Sequence, residues 1–285
     1  MATSNGKTAL ITGSTDGVGR VVAKRLGEAG WRVLVHGRDR TRGERVVDEI
    51  EAADGSAELL LADLSSLTEV RRLAEAVQNT TKRLDLLINN AGIGTGGARA
   101  TRQTSVDGYE LRFAVNYLAG FLLTHLLLPL IKASAPARIV NVSSLGQQAI
   151  AFDDVMLTRG YSGSRAYCQS KLAQIMFTID LSQELAGAGV IVNALHPATY
   201  MNTTMVRQSG VTPMSSVEQG ADAILKLAIS PEVEGRSGLF FNGQREARAD
   251  AQAYDADARR ELETLSLELT GLSAKNAASA GHSRQ

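Results

Sequence analysis

Apolar residues in this chain follow two spacings. Short continuous runs alternate with longer stretches in which apolar positions recur every three or four residues. Residues 8–12 form such a run and end at a glycine-rich turn. Residues 18–29 have helical spacing and stop at Gly30, a residue suited to ending a helix. A strand at 32–36, a helix at 42–53 and a strand at 57–62 follow. The same alternation predicts a helix at 67–80 and strands at 84–88, 138–142, 190–195 and 239–241, with helices before and between. A repeating strand–helix order predicts an α/β fold. The expected form is a Rossmann-type doubly wound parallel sheet of about seven strands with helices on both faces.

No Pro-rich or Ser-rich linker interrupts this rhythm, so residues 1–272 are expected to form a single domain. The segment 199–217 lacks periodicity and contains Pro213. It reads as a flap over the functional site, or else as an ordinary surface loop whose methionines pack on the sheet. Residues 273–285 are small and polar and are expected to be disordered. The apolar stretch 121–131 is interrupted by His125 and Pro129 and falls short of the roughly 20 residues that span a bilayer. It reads as a buried helix. No targeting segment stands ahead of Lys7, so a soluble, cytoplasmic protein is expected.

Charge changes this picture little. The 285 residues carry 30 basic and 30 acidic side chains, which gives no electrostatic argument for a nucleic-acid or membrane partner. The single cysteine, Cys168, excludes an internal disulfide and reads as a small packed side chain or a reactive thiol. His125 reads as a core or interface histidine. Neither it nor His36 has further convergent ligands in the sequence, so no metal site is expected.

Two motifs carry candidate chemistry. Thr12-Gly13-Ser14-Thr15-Asp16-Gly17-Val18-Gly19 lies between the first strand and the first helix. A helix N-terminus offers N–H donors and a favourable dipole, and glycine lets a phosphate approach the backbone. The alternative is a glycine turn with no ligand. Near mid-chain, Tyr167-Cys168-Gln169-Ser170-Lys171 places a phenol and an ammonium one helical turn apart, where both can face one site.

These two motifs occur in order with Asn89-Asn90-Ala91-Gly92, Asn116 and Ser143-Ser144. Together they resemble the short-chain dehydrogenases/reductases over about residues 7–241. Residues 138–178 and the tail 251–272 are most similar to the retinol dehydrogenase and carbonyl reductase branch. The resemblance implies that Tyr167 is the general acid for a substrate carbonyl. It implies that Lys171 lowers the Tyr167 pKa and holds the nicotinamide ribose. Ser144 would bind the carbonyl, as the second serine of the pair, and Asn116 would anchor a water that links Lys171 to solvent. Asn90, Ala91 and Gly92 would pass beside the adenosine half of the cofactor, or serve to hold the sheet together. Asp63, with Leu64, would meet the adenine, unless Asp63 is a helix cap. Pro197, Thr199 and Tyr200 would approach the carboxamide. Two departures are Ala198 in place of the usual glycine and Glu263 where the branch often has tryptophan.

Cofactor choice is expected to turn on Gly37 and Arg38. An acidic residue at the first position would bind a ribose hydroxyl and repel a 2′-phosphate, whereas an arginine can bind the phosphate. NADP(H) is therefore expected over NAD(H), with a solvated Arg38 as the alternative reading and Asp39 as an objection. Tyr200, Met201, Met205, Val206 and Met214 suggest a small to medium, mostly apolar carbonyl or alcohol substrate. A homo-oligomer is compatible with the sequence. A different reading is an NADPH-binding redox sensor without turnover.

Overall fold

A computed structural model describes residues 6–97 and 99–273. The tail expected to be disordered lies outside the described residues, apart from Ser273. In chain order the elements begin with β1 (Thr8–Ile11), α1 (Gly17–Glu28), β2 (Arg32–Gly37), α2 (Arg40–Glu51), β3 (Ser56–Leu61), α3 (Leu67–Thr80) and β4 (Leu86–Asn89). Then come α4 (Leu111–Phe113), a π-helical turn (Ala114–Leu118), α5 (Ala119–Ala133), β5 (Ala137–Val142), α6 (Gly163–Glu184) and β6 (Val190–His196). The last are α7 (Thr204–Gln208), α8 (Val217–Ile229), β7 (Phe240–Asn242), β8 (Arg245–Ala247) and α9 (Ala256–Thr270).

Local chemistry sets the helix starts. Asp16 accepts from the Gly17 N–H, Asp39 from Arg42 N–H and Ser66 from Glu69 N–H. Ser216 and Gln219 form a reciprocal capping box at the start of α8. Each cap satisfies backbone donors that the helix itself leaves unpaired.

The sheet order is β3-β2-β1-β4-β5-β6-β7-β8, parallel from β3 through β7. Only β8 runs antiparallel, against β7. This eighth strand was not expected; its sequence, Arg-Glu-Ala, has no apolar pattern to mark it. Successive side chains point to opposite faces, so β1 feeds both layers of the core. Leu10 joins Leu34, Leu87, Phe121 and Leu172 on one face. Ala9 and Ile11 join Val33, Val35, Leu26 and Ile224 on the other.

The run Leu111–Ala133 is longer than the sequence suggested. It is long and apolar enough to cross a membrane by length and composition, but 67% of its most apolar window is buried inside the fold. It packs as a core helix. Pro129 sits within α5 without ending it.

The tail closes over that helix. The Tyr117 hydroxyl bonds Ser266 Oγ at 2.8 Å, and the Tyr109 hydroxyl donates to the Leu269 carbonyl at 2.9 Å. Arg259 Nε donates to Asp180 Oδ1 at 2.5 Å. Glu263 lies on the exposed side of α9, while Ala258 and Leu262 face inward. Its replacement of tryptophan therefore leaves the inner packing of α9 intact.

Tyr117→Phe should lower stability by about 1 kcal/mol, the usual worth of one net hydrogen bond. Ser266 keeps its bond to the Leu262 carbonyl at 2.6 Å, so no buried hydroxyl is orphaned. A urea midpoint that falls with an unchanged slope would show this, and an unchanged midpoint would mean that the bond contributes nothing to docking α9.

Candidate active site

The strand order reverses between β1 and β4, and the segments leaving these two strands line one crevice at the carboxyl ends of the sheet. Gly13 has φ +65°, and a Cβ there would stand 2.8 Å from Ala91 Cα. A Cβ on Gly19 would run into the Gly13 carbonyl and the Asn90 amide. Both positions must be glycine because the chain after β4 lies directly against the turn. Asn90 ties the two segments, donating from Nδ2 to Thr12 O at 2.9 Å and Gly13 O at 3.0 Å. Thr12 Oγ1 accepts from the Asn90 and Ala91 N–H groups, each at 3.0 Å.

Other members of the turn face inward. Ser14 is fully buried, donating to Ile11 O at 2.8 Å and accepting from His36 N at 3.0 Å. The Val18 side chain packs in the core, so its backbone is what it presents at the start of α1. Gly13 N–H donates to His36 Nδ1 at 3.1 Å. Burial pushes the His36 imidazole down to about 4, so it is neutral and able to accept this bond. No sequence pattern marks His36 for that role.

At the end of β2, Asp39 is engaged as the cap of α2, accepting from Arg42 N at 3.0 Å. The objection it raised to a phosphate site is thereby weakened. Arg38 is 76% exposed and lies 4.0 Å from Asp63 Oδ2. Asp63 Oδ1 accepts from Ser65 N at 2.9 Å, while the cap of α3 is Ser66. Leu64 is buried in the core beside it. Gly37 lies against Thr15, where a Cβ would meet the Thr15 Cγ2 at 2.5 Å.

Ser143 and Ser144 leave β5 in different roles. Ser143 Oγ donates to the Lys171 carbonyl at 2.6 Å, inside the fold. The Ser144 hydroxyl bonds the Tyr167 phenol. Ser143 is thus spent on backbone, and Ser144 shares the site. On α6, Lys171 is 5% exposed and its Nζ lies 5.8 Å from the centre of the Tyr167 ring. Nζ donates to Val142 O and to Gln174 Oε1, each at 2.9 Å.

The electrostatics differ from expectation. Tyr167 is raised above its ordinary value: burial dominates, and the Ser144 bond lowers it by less. Lys171 is itself pushed down to about 7 by burial. Burial, Ser144 and Cys168 set the shift of the phenol in the free chain, and Lys171 is not among its causes.

Asn116 sits in the π-helical turn, a local widening often found at functional sites. Its Oδ1 accepts from Ile93 N at 2.8 Å, and its Nδ2 donates to Ser170 Oγ at 3.0 Å and to Ile93 O at 3.2 Å. A Cβ on Gly92 would lie 3.3 Å from Asn116 Oδ1 and 3.5 Å from Lys171 Nζ. Gly92 thus keeps the floor of the crevice open beside the lysine.

After β6, Pro197 is buried while Thr199 and Tyr200 are exposed. His196 Nε2 bonds Thr199 Oγ1 at 3.1 Å. The left-handed backbone in this loop falls on Tyr200, at φ +43°, and not on Ala198. Alanine in place of glycine therefore brings no backbone strain at that position.

The flap bridges the crevice. Its stem is closed by Met214 N–H to Tyr200 O at 2.9 Å and Asn202 N–H to Ser215 O at 3.0 Å. Thr203 Cγ2 lies 3.3 Å from the position of a Gly17 Cβ, and Met205 Cγ lies 3.0 Å from that of a Gly94 Cβ. Of the three methionines expected in a pocket, only Met205 reaches across. Met201 packs on the core under α8, and Met214 is 72% exposed.

A short chain dehydrogenase family model matches residues 7–213. Retinol dehydrogenase 13 of Homo sapiens is 38% identical over 293 residues, covering 96% of this chain and 87% of that protein. The RhlG/NADP active-site complex of Pseudomonas aeruginosa superposes with a TM-score of 0.69 at 29% identity, covering 84% of this chain and 95% of that one. The 3-ketoacyl-(acyl-carrier-protein) reductase of Brucella melitensis complexed with NADH gives 0.67 at 27% identity, covering 83% and 96%. The chain belongs to the short-chain dehydrogenase/reductase family, in its retinol dehydrogenase branch.

No residue of α7 is buried, whereas the flap stem is hydrogen-bonded. Amides of Asn202 and Met214 should exchange slowly in the free protein, and those of 204–210 fast, slowing when NADPH is added. Full protection of 204–210 without cofactor would show a rigid loop instead.

Proposed function

We propose that this enzyme interconverts a carbonyl and an alcohol on a small to medium, mostly apolar substrate, using NADP(H). The observation that carries the proposal is the Ser144–Tyr167–Lys171 arrangement beside the glycine turn. The residues fit a dinucleotide: glycine brings the start of α1 to the crevice, and with no side chain at Gly92 the segment after β4 passes close to Lys171 Nζ. Once bound, the nicotinamide would donate or accept the hydride.

The chain's own part is binding and proton transfer. Ser144 and Tyr167, bonded to each other, would converge on the carbonyl oxygen. In reduction the carbonyl carbon gains the hydride and the oxygen gains the Tyr167 proton, giving the alcohol. Lys171 would hold the ribose, and Asn116 would keep the segment after β4 in place through Ile93. Asn90 and Ala91 would set the wall along the adenosine, with Asp63 and Leu64 at the adenine. Pro197, Thr199 and Tyr200 would border the carboxamide. Leu145, Tyr200 and Met205 stand exposed along the crevice segments and favour an apolar substrate.

The raised Tyr167 keeps its proton at neutral pH, which suits reduction. Reduction should hold steady through neutral pH and decline on the alkaline side, where the phenol ionises. Alcohol oxidation needs the phenolate and should climb as pH rises. Opposite slopes would contradict the assignment.

Tyr167→Phe should cut turnover by about 10²- to 10⁴-fold, the usual worth of a general acid, and leave NADPH affinity within a few fold. A variant that keeps a tenth of wild-type activity on its best substrate would remove Tyr167 from the role.

Support for NADP(H) comes from the exposed Arg38 guanidinium, the absence of an acid at Gly37 and the turning away of Asp39. Arg38→Ala should weaken NADPH by roughly 10- to 150-fold, the loss of one charge-assisted hydrogen bond, with little change for NADH. Gly37→Asp alone would press on Thr15, so the paired Thr15→Ala/Gly37→Asp variant should turn preference toward NADH more cleanly. Equal losses for both cofactors in Arg38→Ala would defeat the assignment.

A further inference from the structure

We infer that Gln174 is a positioning residue for Lys171, its amide oxygen fixing the ammonium at the floor of the site. The inference rests on the functional reading above, in which Lys171 serves the cofactor.

Gln174 follows Lys171 by three residues, so both side chains lie on the same face of α6. It is 4% exposed, and Oε1 accepts from Lys171 Nζ at 2.9 Å. Val142 O, at the end of β5, accepts a second Nζ proton at 2.9 Å. An ammonium has three donors. Two are thus committed to anchors on β5 and α6, which leaves one for the cofactor, and Gly92 runs close to Nζ on that side. With a hydrocarbon at 174 the ammonium would keep a single anchor and could swing about it.

The helix turn that carries Gln174 is tied to the sheet: its backbone carbonyl accepts from Thr178 Oγ1 at 2.8 Å, and Thr178 Oγ1 accepts from Asn141 Nδ2 at 2.8 Å. Asn141 Oδ1 accepts from Asn89 Nδ2 at 2.9 Å. The Gln174 side chain also lines a small cavity with Thr12, Asn89 and Asn116. Asn89 Oδ1 is buried and has no hydrogen-bond partner among the described residues. The amide oxygen meets the ammonium, and a leucine there would leave Lys171 Nζ one acceptor short.

Facing Lys171 from its own helix, Tyr167 is the titratable group; Val142, Gly92 and Asn116 bring no charge from the other elements. Burial is what lowers the lysine, and an acceptor that bonds the charged form opposes that burial.

The test compares full-length wild type with Gln174→Leu and Gln174→Glu. Thermal melting, NADPH affinity, kcat and KM for an apolar aldehyde, the pH profile of kcat, and ¹³C-lysine NMR are measured on each. Lys171→Met identifies the Lys171 signal. Gln174→Leu should remain folded, weaken NADPH by about 10-fold or more and lower kcat similarly, with KM for the aldehyde little changed. Its Lys171 NMR midpoint should fall by about one pH unit. Gln174→Glu should bring affinity and kcat back toward wild type and raise the midpoint. If Gln174→Leu melts below the assay temperature, Gln174→Met, which is more adaptable in a core, replaces it. The inference is overturned if the folded apolar variant keeps the wild-type midpoint and kcat, or if Gln174→Glu loses as much as Gln174→Leu. If wild type turns over no carbonyl, the functional reading fails, while the NMR midpoints still decide whether Gln174 holds Lys171.

Discussion

An ammonium taken out of water keeps its proton only where oxygen atoms replace the hydration it has lost. Lys171 is in that position. Its side chain is buried, its ordinary pKa is depressed to about 7, and two oxygens stand within hydrogen-bond distance. One oxygen belongs to the last residue of β5 and the other to the next turn of α6. The ammonium is satisfied only if strand and helix keep this register. Ser143 secures the same junction from the other side by donating to the Lys171 carbonyl. The seating of α6 on β5 and the placing of Tyr167 beside Ser144 are therefore one constraint.

The crevice depends on a second close approach. The chain leaving β4 lies against the turn leaving β1, near enough that a methyl group on Gly13 would overlap Ala91. Asn90 draws the two together through the carbonyls of Thr12 and Gly13. Asn116 extends the wall by holding Ile93, and the π-helical turn sets the residue where it can do so. The flap spans the opening from Gly17 to Gly94. Tight packing thus lies beneath the crevice, and α7, with no buried residue, lies above it.

Much of this was legible in the sequence because the signals are periodic or fixed in spacing. The parallel strands declared themselves as apolar runs, α3 was bounded at 67–80 as expected, and the Tyr167–Lys171 interval placed both groups on one helical face. Other features leave no such trace. β8 is three residues with no alternation to read. The π-helical turn comes from one extra residue per turn, which hydropathy cannot register. His36 matters through Gly13, 23 residues away in the chain, so its neighbours in sequence say nothing of its role. Gln174 stands one helical turn from Lys171, but the spacing alone does not show that its amide oxygen turns to the ammonium. The Tyr167–Lys171 spacing shows that a lysine is near, but not that burial raises the phenol in the free chain. The flap methionines were grouped by proximity in sequence, yet Met201 turned to the core and Met214 to solvent.

The central claim is that the crevice carries out hydride and proton transfer and is more than a cofactor-binding platform. NADPH carrying deuterium at the transferable C4 position, incubated with a panel of apolar aldehydes and ketones, tests it directly. Mass spectrometry of the products should find deuterium on the carbinol carbon of at least one alcohol, in proportion to NADPH oxidised. Tight NADPH binding with no deuterated alcohol from any member of the panel would contradict the account and make the protein a sensor of the cofactor.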